Sequence, residues 1–220
     1  MWLGALIILT GAIWFARTDQ ETEDFISSAK KLYGAYKINP ENNEIMMSGA
    51  FVMKGYYKDK ERTDETIKDG WLCTGDQGKI DEDGYLYITG RVKDTFKTSK
   101  GEFIEPLGLE KFFGDTVEFE QICIVGLGNP QPMLLVVLSE SGKSTEKNVL
   151  KSMIENKLIN VNKDLVSYKR ISTIIFVKDD WNPENEILTP TMKIKRNKIN
   201  DKYCEKFKGW SDNIETIIWE

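Results

Sequence analysis

Two nearly continuous apolar runs, Gln121 to Leu127 and Met133 to Leu138, stand close together with Gly128-Asn-Pro130 between them. A strand with one face in water alternates apolar and polar residues, so runs that do not alternate must be covered on both faces. The surrounding chain offers that cover. Val149, Leu150, Met153, Ile154 and Leu158 recur at helical spacing, and Ile199, Tyr203 and Phe207 mark one stripe of a last helix. Ile171 to Val177 is read as a third strand, so the second half is expected to be a compact α+β unit. With 40% apolar residues in 220, a closed core is within reach.

The first half reads differently. Gly34 to Ile38, Glu44 to Gly49 and Phe51 to Tyr57 are strand-like, and Asp59 to Asp69 reads as a short polar helix ended by an Asp69-Gly70 turn. Lys79-Ile80 and Tyr85 to Thr89 flank Asp81-Glu-Asp-Gly84, which predicts a hairpin. Asp81 and Asp83 do not make a calcium loop, because the fifth position is Tyr85. Gly90 to Asp94 is a polar break, and the domain boundary is placed there.

Composition narrows the chemistry. A net charge of -5 argues against nucleic acid, whose phosphates need a basic face. Histidine is absent, so catalysis must use Lys, Arg, carboxylates or bound cations. Cys73, Cys123 and Cys204 form no Cys-x-x-Cys pair, which fits a reducing cytosol. Met1 to Ala16 is apolar but short for a bilayer span, leaving membrane attachment and a buried or misassembled segment as equal expectations. Ser141-Gly-Lys-Ser144 lacks the first glycine of a phosphate loop, Val137 standing there, and Ser144 is read as a helix cap.

Five motifs follow in order: Glu44-Ile-Met-Met-Ser-Gly, Val52-Met-Lys-Gly-Tyr-Tyr, Asp69-Gly-Trp-Leu-Cys-Thr-Gly-Asp76, Gly90-Arg-Val-Lys-Asp94 and Leu188-Thr-Pro-Thr-Met-Lys-Ile-Lys-Arg196. Together, over about residues 34 to 210, they resemble the adenylate-forming acyl-CoA synthetases, the long-chain fatty acyl branch above all. The resemblance implies an α+β fold: a β-rich end of the large AMP-binding domain over 34–92, then a mobile lid over 93–210 with a three-stranded sheet, a hairpin and packing helices. Residues 1–33 are a leader without an assigned role, and 211–220 a tail.

The same resemblance implies site residues. Asp76, with Thr74 and Gly75 before it, would anchor the ribose of ATP or AMP, and Arg91 would lie on the nucleotide side. Lys93 matches the hinge about which the lid turns. Lys100, Gly101 and Glu102 match the loop that reaches the site for the CoA thiol. Lys193 matches the lysine whose ammonium bridges the attacking carboxylate and the α-phosphate. By contrast Lys195, Arg196 and Lys198 read as a solvated basic face. Many relatives have glycine where this chain has Glu186.

Fatty acid, ATP, CoA and Mg are the implied substrates and cofactors, with no metal ligand assigned in this chain. The family's phosphate loop, adenine segment and acyl pocket precede the matched portion and do not occur in residues 1 to 50. The chain by itself is therefore expected to be incomplete, with an upstream-encoded ATP-binding part as partner, in the cytoplasm or at the membrane periphery through residues 1–16. Two other readings stay open: a non-catalytic remnant docking on a synthetase, carrier protein or membrane, and a gene-call artefact.

Overall fold

A computed structural model of the chain describes residues 7–9, 12–14 and 35–220, the first two segments by their backbone alone. Most of the apolar stretch Met1 to Ala16, on which the membrane expectation rests, lies outside the described residues. Among those that are described, no helix is long and apolar enough to cross a membrane. The chain divides into two units, Met1–Ile88 and Thr89–Glu220.

In the first unit β1 (Ile7–Leu9) and β2 (Ala12–Trp14) form an antiparallel pair. A second sheet contains β3 (Ala35–Ile38), β4 (Glu44–Ser48), β5 (Ile67–Lys68) and β6 (Trp71–Ile80) in the order β3-β4-β6-β5, with β7 (Leu86–Arg91) also on β6. Helix α1 (Lys60–Thr66) begins at Asp59, whose carboxylate accepts the Arg62 N–H at 3.0 Å. The β6–β7 hairpin turns on Asp81, whose Oδ1 accepts the N–H groups of Asp83 and Tyr85 at 3.1 and 2.8 Å.

Phe51 to Tyr57 is not the expected strand. The Tyr56 N–H is taken by Thr63 Oγ1 at 2.9 Å, and only an isolated bridge to Asp59 remains. Aromatic content suits a pleat, but these backbone groups are committed to the start of α1.

The second unit starts with the last residues of β7, followed by a 3-10 turn, Val92–Asp94, and the short hairpin of β8 (Phe96–Lys97) and β9 (Phe103–Ile104). The expected polar break at Gly90 is in fact the end of β7. Helix α2 (Pro106–Glu110), β10 (Phe119–Val125), β11 (Met133–Leu138), α3 (Glu140–Ser144), α4 (Lys147–Lys163), β12 (Ile174–Phe176), α5 (Arg196–Ser211) and β13 (Ile217–Trp219) follow.

Its main sheet runs β10-β11-β12-β13, antiparallel in the first pair and parallel in the next two. The fourth strand comes from the segment expected to be a tail. Alternate residues serve opposite faces. Ile124, Leu134, Val136, Ile174 and Phe176 pack with Leu150, Ile154 and Leu158 of α4. Cys123, Val125, Met133, Leu135, Val137 and Ile175 pack with Ile199, Tyr203, Phe207 and Trp210 of α5. At ~1.5–3 kcal/mol for each large apolar side chain removed from water, these two layers dominate the unit's stability.

The Ser141 to Ser144 segment lies in α3, where the Ser144 hydroxyl donates to the Glu140 carbonyl at 2.7 Å. Ser144 is therefore not a cap; Ser139 caps α3 and Glu146 caps α4. A Cβ on Gly142 would meet the Glu118 carbonyl oxygen at 2.3 Å, so this glycine serves packing.

Candidate functional site

The second unit carries a cleft of about 970 Å³, lined by Arg91, Lys93, Asp94, Lys97, Lys193, Lys195 and Arg196, with Phe96, Phe103, Leu127 and Ile194 as its apolar part. Lys193, Lys93 and Arg91, assigned from separate motifs, thus share one cleft. Among the described residues the ammonium groups of Lys93, Lys193 and Lys195 pair with no carboxylate. Three ammonium groups without an ion-pair partner, beside a single lining acid, Asp94, fit an anionic ligand such as the phosphates of a nucleotide.

Lys193 is exposed and closes a tight turn. The Thr189 N–H donates to the Lys193 carbonyl at 2.8 Å and the Met192 N–H to the Thr189 carbonyl at 2.9 Å. Thr189 Oγ1 accepts the Lys193 N–H at 3.0 Å. Pro190 occupies the position where its fixed φ suits a turn, and Met192 takes a left-handed φ of 62°. Below the turn, Leu188 and Ile194 bridge and the Lys195 N–H bonds the Ile187 carbonyl at 2.8 Å, with Ile187 and Leu188 buried. The lysine is thus presented from a fixed backbone. Upstream, Glu186 holds φ 60°, which explains a preference for glycine there, and pairs with Lys198 at 3.0 Å.

Lys100, Gly101 and Glu102 form the exposed tip joining β8 to β9. Gly101 has φ 81° and a Cβ there would meet nothing within 4 Å, so the backbone angle alone calls for glycine. The base of this turn is tied to the β10–β11 connection: the Ser99 N–H donates to the Asn129 carbonyl and the Gly128 N–H to the Lys97 carbonyl, at 2.9 and 3.0 Å.

Arg196 is where the sequence reading fails. It is not part of a solvated basic face: its Nη2 donates to both Glu110 oxygens at 2.7 and 2.6 Å, and its Nε to Asp94 Oδ2 at 3.2 Å. Nη1 reaches the Ile124 carbonyl at 3.3 Å and Cys123 Sγ at 3.2 Å. Burial works against the guanidinium charge, but Cys123, Glu110 and Asp94 outweigh it and the pKa is raised. Burial pushes the Cys123 thiol up to about 12. No local signal marks Arg196, because its partners lie far away in sequence.

In the first unit, Thr74, Gly75 and Asp76 sit in an irregularity of β6. Pairing with β4 jumps from Met46↔Cys73 to Glu44↔Gln77, so the segment bulges from the ladder. The Gly75 N–H is held by buried Glu44 at 2.8 Å, Thr74 Oγ1 donates to the Ile45 carbonyl at 2.8 Å, and the Asp76 N–H donates to Thr74 Oγ1 at 3.1 Å. Among the described residues no group of three or more Asp, Glu, Cys or His residues is arranged to hold a metal.

The second unit is thus an α+β domain that carries an exposed lysine turn at a cleft lined by several cationic side chains. The family of AMP-binding enzyme C-terminal domains matches residues 93–212, and the chain belongs to that family. It is 28% identical over 208 residues to fatty acyl-CoA synthetase B of Dictyostelium discoideum, covering 84% of this chain and 31% of that protein. It is 31% identical over 199 residues to long-chain-fatty-acid–CoA ligase 5 of Rattus norvegicus, covering 82% and 29%. The chain thus spans under a third of the length of these relatives.

Among solved structures, the adenylation domain of a Mycobacterium chelonae carboxylate reductase superposes with a TM-score of 0.68 at 24% identity, covering 81% of this chain and 31% of that one. The o-succinylbenzoate CoA synthetase of Bacillus subtilis, solved with its acyl-adenylate, gives 0.58 at 24%, covering 76% and 34%. At these identities the likeness establishes the fold.

Proposed function

We propose that these residues act as the C-terminal lid of an ATP-dependent long-chain fatty acyl-CoA synthetase. In the reaction a fatty acid carboxylate oxygen attacks the α-phosphorus of ATP and pyrophosphate leaves. The CoA sulfur then attacks the acyl carbonyl and AMP leaves. The observation that carries this reading is the exposed Lys193 that closes a hydrogen-bonded turn and lines one cationic cleft with Lys93 and Arg91.

Negative charge gathers on the α-phosphate oxygens as the carboxylate approaches, and a preorganised ammonium stabilises it without reorganisation. Lys193 supplies that ammonium. Asp76, held in its bulge, accepts hydrogen bonds from the ribose hydroxyls, and Arg91 contributes forked donors on the nucleotide side. Lys93 is the pivot that exchanges the Lys193 turn for the Lys100 to Glu102 turn between the two steps, the second turn serving the incoming thiol. Mg accompanies ATP and balances phosphate charge, and no ligand for it is assigned to these residues.

Grafting residues 35–220 in place of the matching segment of the rat ligase tests the reading. The graft should catalyse fatty-acid-dependent ATP–pyrophosphate exchange, and Lys193→Ala should lower it about 10²–10³-fold. Thioester formation from synthetic acyl-adenylate should stay within about threefold, because that step does not use this ammonium. Equal exchange with and without the Lys193 ammonium would remove the assignment.

A further inference from the structure

We propose that Arg196 is a positioning residue that latches the Lys193 turn to the Lys93–Asp94 segment through the Asp94 carboxylate, and that this contact alone opens when the lid pivots. The proposal rests on the pivoting lid described above, and its main test does not.

Arg196 is the first residue of α5 and is separated from Lys193 by Ile194, which bridges Leu188, and Lys195, whose N–H bonds the Ile187 carbonyl. Its guanidinium therefore moves with the catalytic turn. All three of its nitrogens are engaged: Nε by Asp94, Nη2 by Glu110, and Nη1 by Cys123 Sγ and the Ile124 carbonyl. Asp94 follows Lys93 and ends the 3-10 turn that the Thr95 N–H closes by donating to the Arg91 carbonyl at 3.2 Å. One side chain thus joins the catalytic turn, the hinge segment, α2 and β10.

The two acidic arms are unequal. Glu110 is 12% exposed, meets Arg196 through two short contacts, and its Oε1 also accepts the Ile124 N–H at 2.8 Å. Breaking that arm would separate two largely buried opposite charges, which is strongly unfavourable. Asp94 is 36% exposed and makes one contact at 3.2 Å. Water can replace such a pair at small cost. Arg196 itself is 18% exposed and lines the cleft, so its Nε–H can meet solvent after release. The Glu110 arm holds the guanidinium in place, and the Asp94 arm lets the hinge go.

Amide hydrogen exchange on the 220-residue chain tests this. Asp94→Asn should speed exchange of the Thr95 amide about fivefold, the factor expected for a half-solvated ion pair, while the Ile124 amide keeps its protection. Asp94→Glu should restore Thr95 to within about twofold of the original. An unchanged Thr95 amide, or equal acceleration at Ile124, overturns the latch, the second outcome being general loosening. Arg196→Lys keeps a cation but loses the fork, so it should free Thr95 as Asp94→Asn does; continued protection of Thr95 in a folded variant also overturns it.

In the graft, Asp94→Asn should move adenylation and thioester formation in opposite directions, by about two- to fivefold. Parallel losses would overturn the link to pivoting. Whether Lys193→Ala lowers exchange in that graft reports separately on the functional reading.

Discussion

Between Thr98 and Glu102 the threonine N–H donates to the Glu102 carbonyl at 2.9 Å, the Gly101 N–H donates to the Thr98 carbonyl at 3.0 Å, and Thr98 Oγ1 accepts the Glu102 N–H at 3.2 Å. Between Thr189 and Lys193 the same three bonds recur at 2.8, 2.9 and 3.0 Å. The penultimate residue of each turn is left-handed: Gly101 at φ 81°, Met192 at φ 62°. Glycine takes that angle freely, whereas a residue with a Cβ carries a cost of roughly 1–2 kcal/mol. Met192 is exposed, so burial does not offset it. The Leu188–Ile194 bridge and the buried Ile187 and Leu188 hold the strained turn closed. The two turns thus share a hydrogen-bond pattern and differ in the backbone strain they carry.

The largest effect should separate the turns by chemistry. In the graft, Lys193→Ala should cost adenylation roughly 3–4 kcal/mol, while Lys100→Ala changes it by under about 0.5 kcal/mol. ATP–pyrophosphate exchange measures both, and similar losses would erase the proposed division of labour. Next come the two threonines. Thr98 is 4% exposed, so Thr98→Val, which leaves the Glu102 N–H without its side-chain acceptor, should cost about 1–3 kcal/mol in urea unfolding. Thr189 is only half-buried, and Thr189→Val should cost about 0.5–1.5 kcal/mol.

Smaller effects probe the backbone angle itself. Gly101→Ala should destabilise by about 1 kcal/mol, although the new methyl meets no neighbour. Met192→Gly should run the other way, raising stability by up to about 1 kcal/mol as the left-handed angle becomes free. In the same variant the Lys193 amide should exchange faster, because the turn is less restrained. If Met192→Gly destabilises, the two turns are not equivalent in their backbone energetics.

Much of the fold was legible because burial on both faces leaves a mark in the sequence. The apolar runs placed β10 and β11 within a residue or two, and the helical stripes placed α4 and α5. The motif order led to Lys193, Lys93 and Arg91, which the fold gathers on one cleft. Strand β13 was not legible: Ile217-Ile-Trp219 is three residues long and flanked by polar ones, too short for a period to appear. Phe51 to Tyr57 had the residue types of a strand, but hydrogen bonding to Thr63 outweighed that preference.

Arg196 shows the other kind of gap. Lys195, Arg196 and Lys198 are neighbours of one charge in the sequence, and only the folded chain separates their fates. Lys195 lines the cleft, Lys198 pairs with Glu186 at the surface, and Arg196 goes inward to Glu110 and Asp94. The sequence by itself determined which segments must be buried, since that depends on local periodicity, and the resemblance of its motifs singled out Lys193. Only the tertiary structure decided which charge loses its water, because that depends on partners 86 and 102 residues away brought within hydrogen-bond reach by packing.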